Sequence, residues 1–293
     1  MNAPPATLDQ PFRLVGAPGA SPVVLASPHS GRDYPAAFLA QSRLNISQLR
    51  RAEDAYVDRL LEPAAALGAP LIAARYGRAY LDLNRAVGEI DPAMIADPVT
   101  PALHQATDRV SAGLGIVPRI AAHGLDIYAS RLRLAEVEAR IAALHGPWHD
   151  RLADLVAAAR DRHGFAILLD CHSMPTPGPV PGGPPQFVLG DLHGRSASAE
   201  LVGLIDRCLT DGGFRVARNN PYAGGFTTAH HADVASGVHV VQIEIDRSLY
   251  MDPARLTPHG GFAHIAATLA DLVGRLQTSA GQLGLGPLRQ AAE

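Results

Sequence analysis

Apolar residues recur along this chain in two rhythms. SPVVLAS (21–27), APLIAARY (69–76), FAILLD (165–170) and FVLGD (187–191) are short continuous apolar runs bounded by turn residues, the pattern of strands buried on both faces. GVHVVQIEIDRSLYM (237–251) alternates and begins as a strand. Alternation puts Gln242, Glu244 and Asp246 on one face and Val241, Ile243 and Ile245 on the other. GRAYLDLNR (77–85) reads as a strand or hairpin arm ending in a loop. Helical spacing runs through Leu49, Tyr56, Val57, Leu60, Leu61, Ala64 and Ala65, predicting a helix over 46–68 closed by Gly68 and Pro70. Further helices are expected over 134–164, broken near Gly146-Pro147, over 197–213 with a glycine stop, and over 262–277.

Strands alternating with helices predict an α/β fold with a mixed, largely parallel sheet flanked by helices. Residues 1–20, rich in Pro, Ala and Gly, read as an irregular arm. Residues 21–277 read as one domain and 278–293 as a loose tail. Residues 86–130 are loop-rich, and the Pro/Gly stretch 173–186 is a loop beside a strand.

Composition narrows the chemistry. The 293 residues are 47% hydrophobic and 18% charged, which supports a large core and excludes global disorder. A net charge of -3 argues against a nucleic-acid surface. Every basic side chain is Arg; the absence of Lys removes Schiff-base, P-loop and Ser–Lys chemistry. Two cysteines make no disulfide scaffold and fit a reducing cytoplasm. The start lacks a signal-peptide pattern, and no apolar stretch is long enough to span a membrane. The oligomeric state stays open, a homo-oligomer included.

His29 follows one predicted strand and His172 another, where side chains line the ligand crevice of an open α/β sheet. Two imidazoles so placed suit a metal, with an Asp, Glu or His as third ligand and a position left for water. Asp54, Glu53 and Asp33 are the candidates. A carboxylate among isoleucines, Glu244 is a candidate general base, set against the plainer reading of a solvated strand face. Arg85 and Arg78 suit a substrate carboxylate, and Asn84 adds a directional amide. The glycine loop around Gly225, followed by TTAHH, would bring His230 or His231 to a substrate, with His230 the choice. Neither Ser30 nor Ser173 sits in a G-x-S-x-G elbow, and a Cys171 nucleophile is the remaining rival.

Five motifs in order carry a resemblance: SPHSG, ED-x-x-x-D-R-L, GR-x-x-x-DLNR, DCHSM, and GG-[FY]-x-T followed by GVH-x-x-Q-[IL]-E-[IL] with a downstream YM. Together they span about residues 21–252 and resemble the N-formylglutamate amidohydrolase family. The resemblance implies a zinc-dependent hydrolase, with one Zn2+ per chain or another divalent metal. It would release formate and L-glutamate from a small N-acyl amino acid, the last step of one histidine-degradation route. It also implies a zinc-carboxypeptidase-like fold, with His29, Asp54 and His172 as metal ligands and Glu244 as base. Asn84 and Arg85 would bind substrate, and Arg78 would assist catalysis. One departure is visible: carboxypeptidase-like enzymes carry an acidic ligand three residues after the first His, and Arg32 stands there. A deacylase or peptidase of other specificity, and a non-catalytic binding protein, are the alternatives.

Overall fold

A computed structural model describes residues 10–99, 105–121 and 124–287. In chain order its strands are β1 (Phe12–Val15), β2 (Val23–Ser27), β3 (Leu71–Ala74), a ribbon of β4 (Ile120–Ala121) and β5 (Leu125–Asp126), β6 (Ala166–Met174), β7 (Phe187–Gly190), β8 (Val216–Arg218), β9 (Val238–Asp246), and a second ribbon of β10 (Met251–Asp252) and β11 (Thr257–Pro258). Seven form one sheet in the order β1-β3-β2-β6-β9-β7-β8. The central strands β3, β2, β6 and β9 are parallel. β1 runs antiparallel at one edge, and β7 runs antiparallel to β9 with β8 beside it. The sheet is therefore mixed and largely parallel, as the pattern predicts.

Helices cover both faces. Val23, Leu25, Ile167, Leu169, Val241 and Ile243 pack against the helices Ala199–Asp211 and Phe262–Ser279. Val24, Ala26, Leu168 and Val240 pack against Trp148, Leu152 and Leu155 of the helix Gly146–His163. The period-2 alternation of strand side chains sorts these residues to the two faces.

Several local expectations are corrected. β6 does not stop at Asp170 but continues to Met174, because β9 runs beside it in register, His172 opposite Glu244 and Met174 opposite Asp246. His172 therefore stands within a strand, not after one. Residues 77–85 form turns instead of a strand: the Asp82 amide donates to Ile116 O, and the Asn84 amide donates to the Asp82 side chain. Such side-chain bonds compete with a ladder.

The helix expected over 46–68 is broken. Helical turns at Ile46–Leu49 and Arg50–Ala52 give way to extended backbone at Glu53, and Tyr56 is left-handed (φ 68°) before Val57–Leu60 and Glu62–Ala65. The Asp54 amide donates outside the segment, to His29 O at 2.9 Å.

The expected break at Gly146-Pro147 is a π turn over Ile141–His145, joining the helices Leu134–Arg140 and Gly146–His163. Pro147 has no N–H for the usual bond, and a wider turn absorbs its absence. Part of the lead-in is ordered, since FRLV forms β1 against β3. Leu285, in the stretch read as a loose tail, is buried, and its carbonyl accepts from His239 Nε2–H at 3.0 Å. Among the described residues, no helix is long and apolar enough to cross a membrane.

Candidate active site

The parallel strands deliver their carboxyl ends to one edge of the sheet. On the face beneath Trp148, β6 and β9 start apolar with Ala166, Leu168, Val238 and Val240. The same face then turns polar with Asp170, His172, Gln242 and Glu244, all buried. The polar side of β9 is thus no solvated surface; loops from other parts of the chain close over it.

His29 lies just past β2, where its loop presses against the exit of β3. A Cβ on Gly31 would lie 2.2 Å from Tyr76 O, so only glycine fits. His29 Nδ1, His172 Nδ1 and Asp54 Oδ2 form a buried triangle with edges of 3.1, 3.0 and 3.3 Å. Metal–nitrogen and metal–oxygen bonds of about 2.1 Å in a tetrahedron put neighbouring ligand atoms about 3.4 Å apart, so the triangle has the size of one tetrahedral face.

Both imidazoles are aimed by their other nitrogen. His29 Nε2–H donates to Asp82 Oδ1 at 2.7 Å. His172 Nε2 is 3.1 Å from Asp170 Oδ2, near enough to pair but off the line of a good hydrogen bond. A carboxylate behind a ligating histidine fixes its tautomer and raises its basicity. Asn84 Nδ2 lies 3.2 Å from the same His172 nitrogen, and Asn84 Oδ1 accepts the Thr227 amide at 2.7 Å. Gly225 lets the asparagine in: a Cβ there would meet Asn84 Nδ2 at 2.4 Å.

Of the candidate third ligands, Asp54 joins the histidines. Glu53 turns away, accepting Tyr34 Oη–H at 2.8 Å and Arg50 Nε–H at 3.2 Å. Asp33 is paired with exposed Arg75. Asp54 Oδ1 accepts from Arg247 Nη2 at 2.9 Å and from Ser173 Oγ at 3.3 Å. Burial pushes the Asp54 carboxyl up, but His172, His29 and Arg247 outweigh it and hold it well below the ordinary range. Asp82 behaves alike, with Arg78, His29 and Arg85 overcoming its burial. For Glu244 burial wins, aided by Asp54 and opposed by His172, Arg78 and Arg247; its pKa is raised to about 7. Gln242 Nε2–H donates to Glu244 Oε1 at 3.0 Å.

These groups line a cavity of about 390 Å³ that also takes in Arg51, Arg78, Arg85, Arg109, Arg247 and Tyr222. Arg78 Nη2 is 2.6 Å from Asp82 Oδ2. Arg85 spends Nε on Leu114 O and Nη1 on Asn84 O, both at 2.8 Å. Arg109, Leu114 and Pro118, from the loop-rich segment 86–130, wall one side.

His230 is not in this cavity. It is exposed at the end of the short helix Phe226–His231, stacked on Phe226 at 4.8 Å. The helical turn after Gly225 carries it away. Cys171 is also excluded as nucleophile: it faces the apolar cluster on the opposite side, and burial pushes its thiol up.

Sequence reasoning missed Asp82, Asp170, Arg247 and Tyr222. Asp82 was accessible, since a histidine ligand calls for a carboxylate behind it and DLNR supplies one.

A His–Asp–His cluster that could hold a metal ion, beside a buried glutamate at the carboxyl edge of the parallel strands, defines a candidate metal site in an α/β fold. The family model of N-formylglutamate amidohydrolase matches residues 21–251, and the chain belongs to that family. It is 26% identical to an N-formylglutamate deformylase of Pseudomonas putida, over 80% of this chain and 83% of that one. The deformylase of Pseudomonas aeruginosa is 28% identical over 80% and 84%. A crystal structure of N-formylglutamate amidohydrolase from Ralstonia eutropha superposes with a TM-score of 0.86 at 34% identity, covering 94% of this chain and 100% of that one. A gene product of Agrobacterium tumefaciens shares the fold at TM-score 0.63 and 21% identity, over 93% and 96%.

Proposed function

We propose that this protein is a metal-dependent amidohydrolase that cleaves N-formyl-L-glutamate to formate and L-glutamate. The observation that carries the reading is the buried triangle of His29 Nδ1, Asp54 Oδ2 and His172 Nδ1 in one cavity with Glu244 and five arginines. The substrate is a dianion, and the arginines outnumber the carboxylates Asp54, Asp82 and Glu244 that share the cavity. Membership of the family and the names of the Pseudomonas relatives point the same way.

His29, Asp54 and His172 would hold one ion. The nitrogen and oxygen donors suit zinc, and also Fe, Co or Mn. A metal held there supplies Lewis acidity, lowering the pKa of water and polarising the formyl carbonyl. Glu244 takes the proton of the attacking water and returns it to the leaving amine nitrogen as the C–N bond breaks. A pKa of about 7 suits a group that both accepts and donates near neutrality. Arg78 stabilises the developing oxyanion. Asn84 and Arg85 orient a substrate carboxylate, and Gly225 gives Asn84 room to do so. These are soluble-substrate roles and need neither nucleic acid nor membrane.

The test is an assay of free glutamate from N-formyl-L-glutamate, beside N-acetylglutamate and N-formylaspartate, with and without a chelator. The expected result is release from the first substrate that chelation abolishes and zinc restores. Release only from another substrate overturns the assignment of substrate. Undiminished activity in verified metal-free protein overturns the metal role.

A further inference from the structure

The segment Asp82–Arg85 carries three side chains of the site but belongs to no helix or strand. Its carbonyls are held by side chains, two of them from outside the segment. His149 Nε2–H donates to Leu83 O at 2.8 Å, Arg85 Nη1 to Asn84 O at 2.8 Å, and His145 Nε2–H to Arg85 O at 2.9 Å. A carbonyl only accepts, so each histidine must carry its proton on Nε2. His149 Nδ1 is then an acceptor, and His231 Nε2–H supplies it at 2.9 Å.

The two carbonyl-binding histidines lie one helical turn apart, on the same side of the chain as it leaves the π turn, with rings 4.3 Å apart. Phe226 packs on both, at 5.4 and 5.0 Å. Burial, the largest cause in each case, keeps the group neutral: His149 is lowered to about 2, His231 to about 4, and His145 is lowered as well. Burying imidazoles costs free energy unless each nitrogen is satisfied, and an apolar side chain would fill the space without that cost. Both buried rings instead spend their hydrogen on the backbone of one short segment.

We infer that His149, its tautomer fixed by His231 and its action shared by His145, is a positioning residue of the active site. By holding the carbonyls on both sides of Asn84, the two rings set where Asn84 stands against His172 and where Asp82 stands against His29. Asn84 has little slack, because Gly225 and the Thr227 amide close on it from the other side.

The test compares His149→Phe, which keeps the ring volume and loses the donor, with His149→Gln, which restores an N–H near the same place. Two measurements are made on the full chain. One is hydrogen exchange, by mass spectrometry, of peptides covering 82–86 and 150–163. The other is steady-state hydrolysis of N-formyl-L-glutamate. His149→Phe is expected to speed exchange in 82–86 about tenfold with 150–163 unchanged, and to lower kcat/KM about tenfold, mainly through KM. His149→Gln should recover most of both. Should His149→Phe fail to fold, His231→Leu takes its place with a shift of about threefold in the same directions. Unchanged exchange at 82–86 overturns the inference, as does faster exchange of segment and helix alike that Gln does not reverse. The kinetic half rests on the proposed function, the exchange half does not. A wild-type protein inactive on this substrate would sink the function and leave the exchange result to decide the positioning role.

Discussion

Along β6 and β9 the two faces of the sheet diverge at the same level. On one face Ile167, Leu169 and Cys171 are joined on the neighbouring strand by Val241, Ile243 and Ile245, apolar from end to end under two long helices. On the other, Leu168 and Val240 give way within two residues to Asp170, His172, Gln242 and Glu244. Both faces are buried, but by different means. The apolar face is covered by regular helices and held by area removed from water. The polar face is covered by loops, and its polar groups hold one another, His29 on Asp82, Asp54 on Arg247, and Asp82 again on Arg78. Stability and chemistry are thus placed back to back on the same strands, and substitutions on the two faces should separate them.

The widest separation is expected at Glu244. Glu244→Gln removes the carboxylate proposed as general base, so kcat should fall about 10³-fold, within the range for such groups. Metal content of the purified variant, measured by mass spectrometry, should stay at the wild-type ratio. Turnover near wild type would remove Glu244 from the role. One residue earlier, on the other face, Ile243→Ala should cost about 2–5 kcal/mol of stability through the cavity it leaves. Denaturant unfolding reports the loss, and kcat per folded molecule should hold. A matching fall in kcat would show that the faces are not independent.

Asp82→Asn sharpens the comparison inside the polar face. It removes the carboxylate behind His29 and should weaken metal binding about 10- to 100-fold, read by competition with a chelator. Equal affinity would mean that Asp82 serves Arg78 alone. The last test is on pH dependence. His149 and His231 are held neutral at about 2 and about 4, while in the unfolded chain such rings titrate near 6.5. Between pH about 6.5 and about 4 the unfolded state binds protons that the folded state refuses. Stability contributed by this pair therefore falls as pH is lowered through that window. Urea midpoints across it should slope less steeply in His149→Gln/His231→Gln; parallel slopes would contradict the neutral assignment.

The sheet was legible because strands buried on both faces announce themselves as unbroken apolar runs, and the placement of His29 at the end of one run survived. Glu244 was legible for a similar reason, as a charge no apolar strand tolerates without a partner. What periodicity did not reveal was how the chain leaves its elements. The break at Asp54 has no glycine or proline to mark it. It exists because the Asp54 amide finds His29 O and not a helical carbonyl, a contact made across the fold. The strand expected at 77–85 failed for the opposite reason: Asp82 satisfies the backbone locally. His230 was misplaced by proximity in sequence to Gly225, which a short helix undoes. Arg247 lay hidden because nothing in the local pattern tells an arginine after a strand to reach back to Asp54.

The π turn at Ile141–His145 has a consequence for the length of the chain. Such a turn holds one residue more than an α-helical turn. Five residues of a π turn, at about 82° each, carry the chain about as far round the axis as four α-helical residues at about 100°. Deleting exposed Ala142 would therefore return the helix to regular hydrogen bonding with its two halves nearly in phase. Arg140 on one side, bonded to Tyr80 O, and Trp148 and His149 on the other would still face inward. The count of residues is elastic by one at this turn, whereas a deletion within the regular helix Gly146–His163 would swing everything beyond it by about 100°.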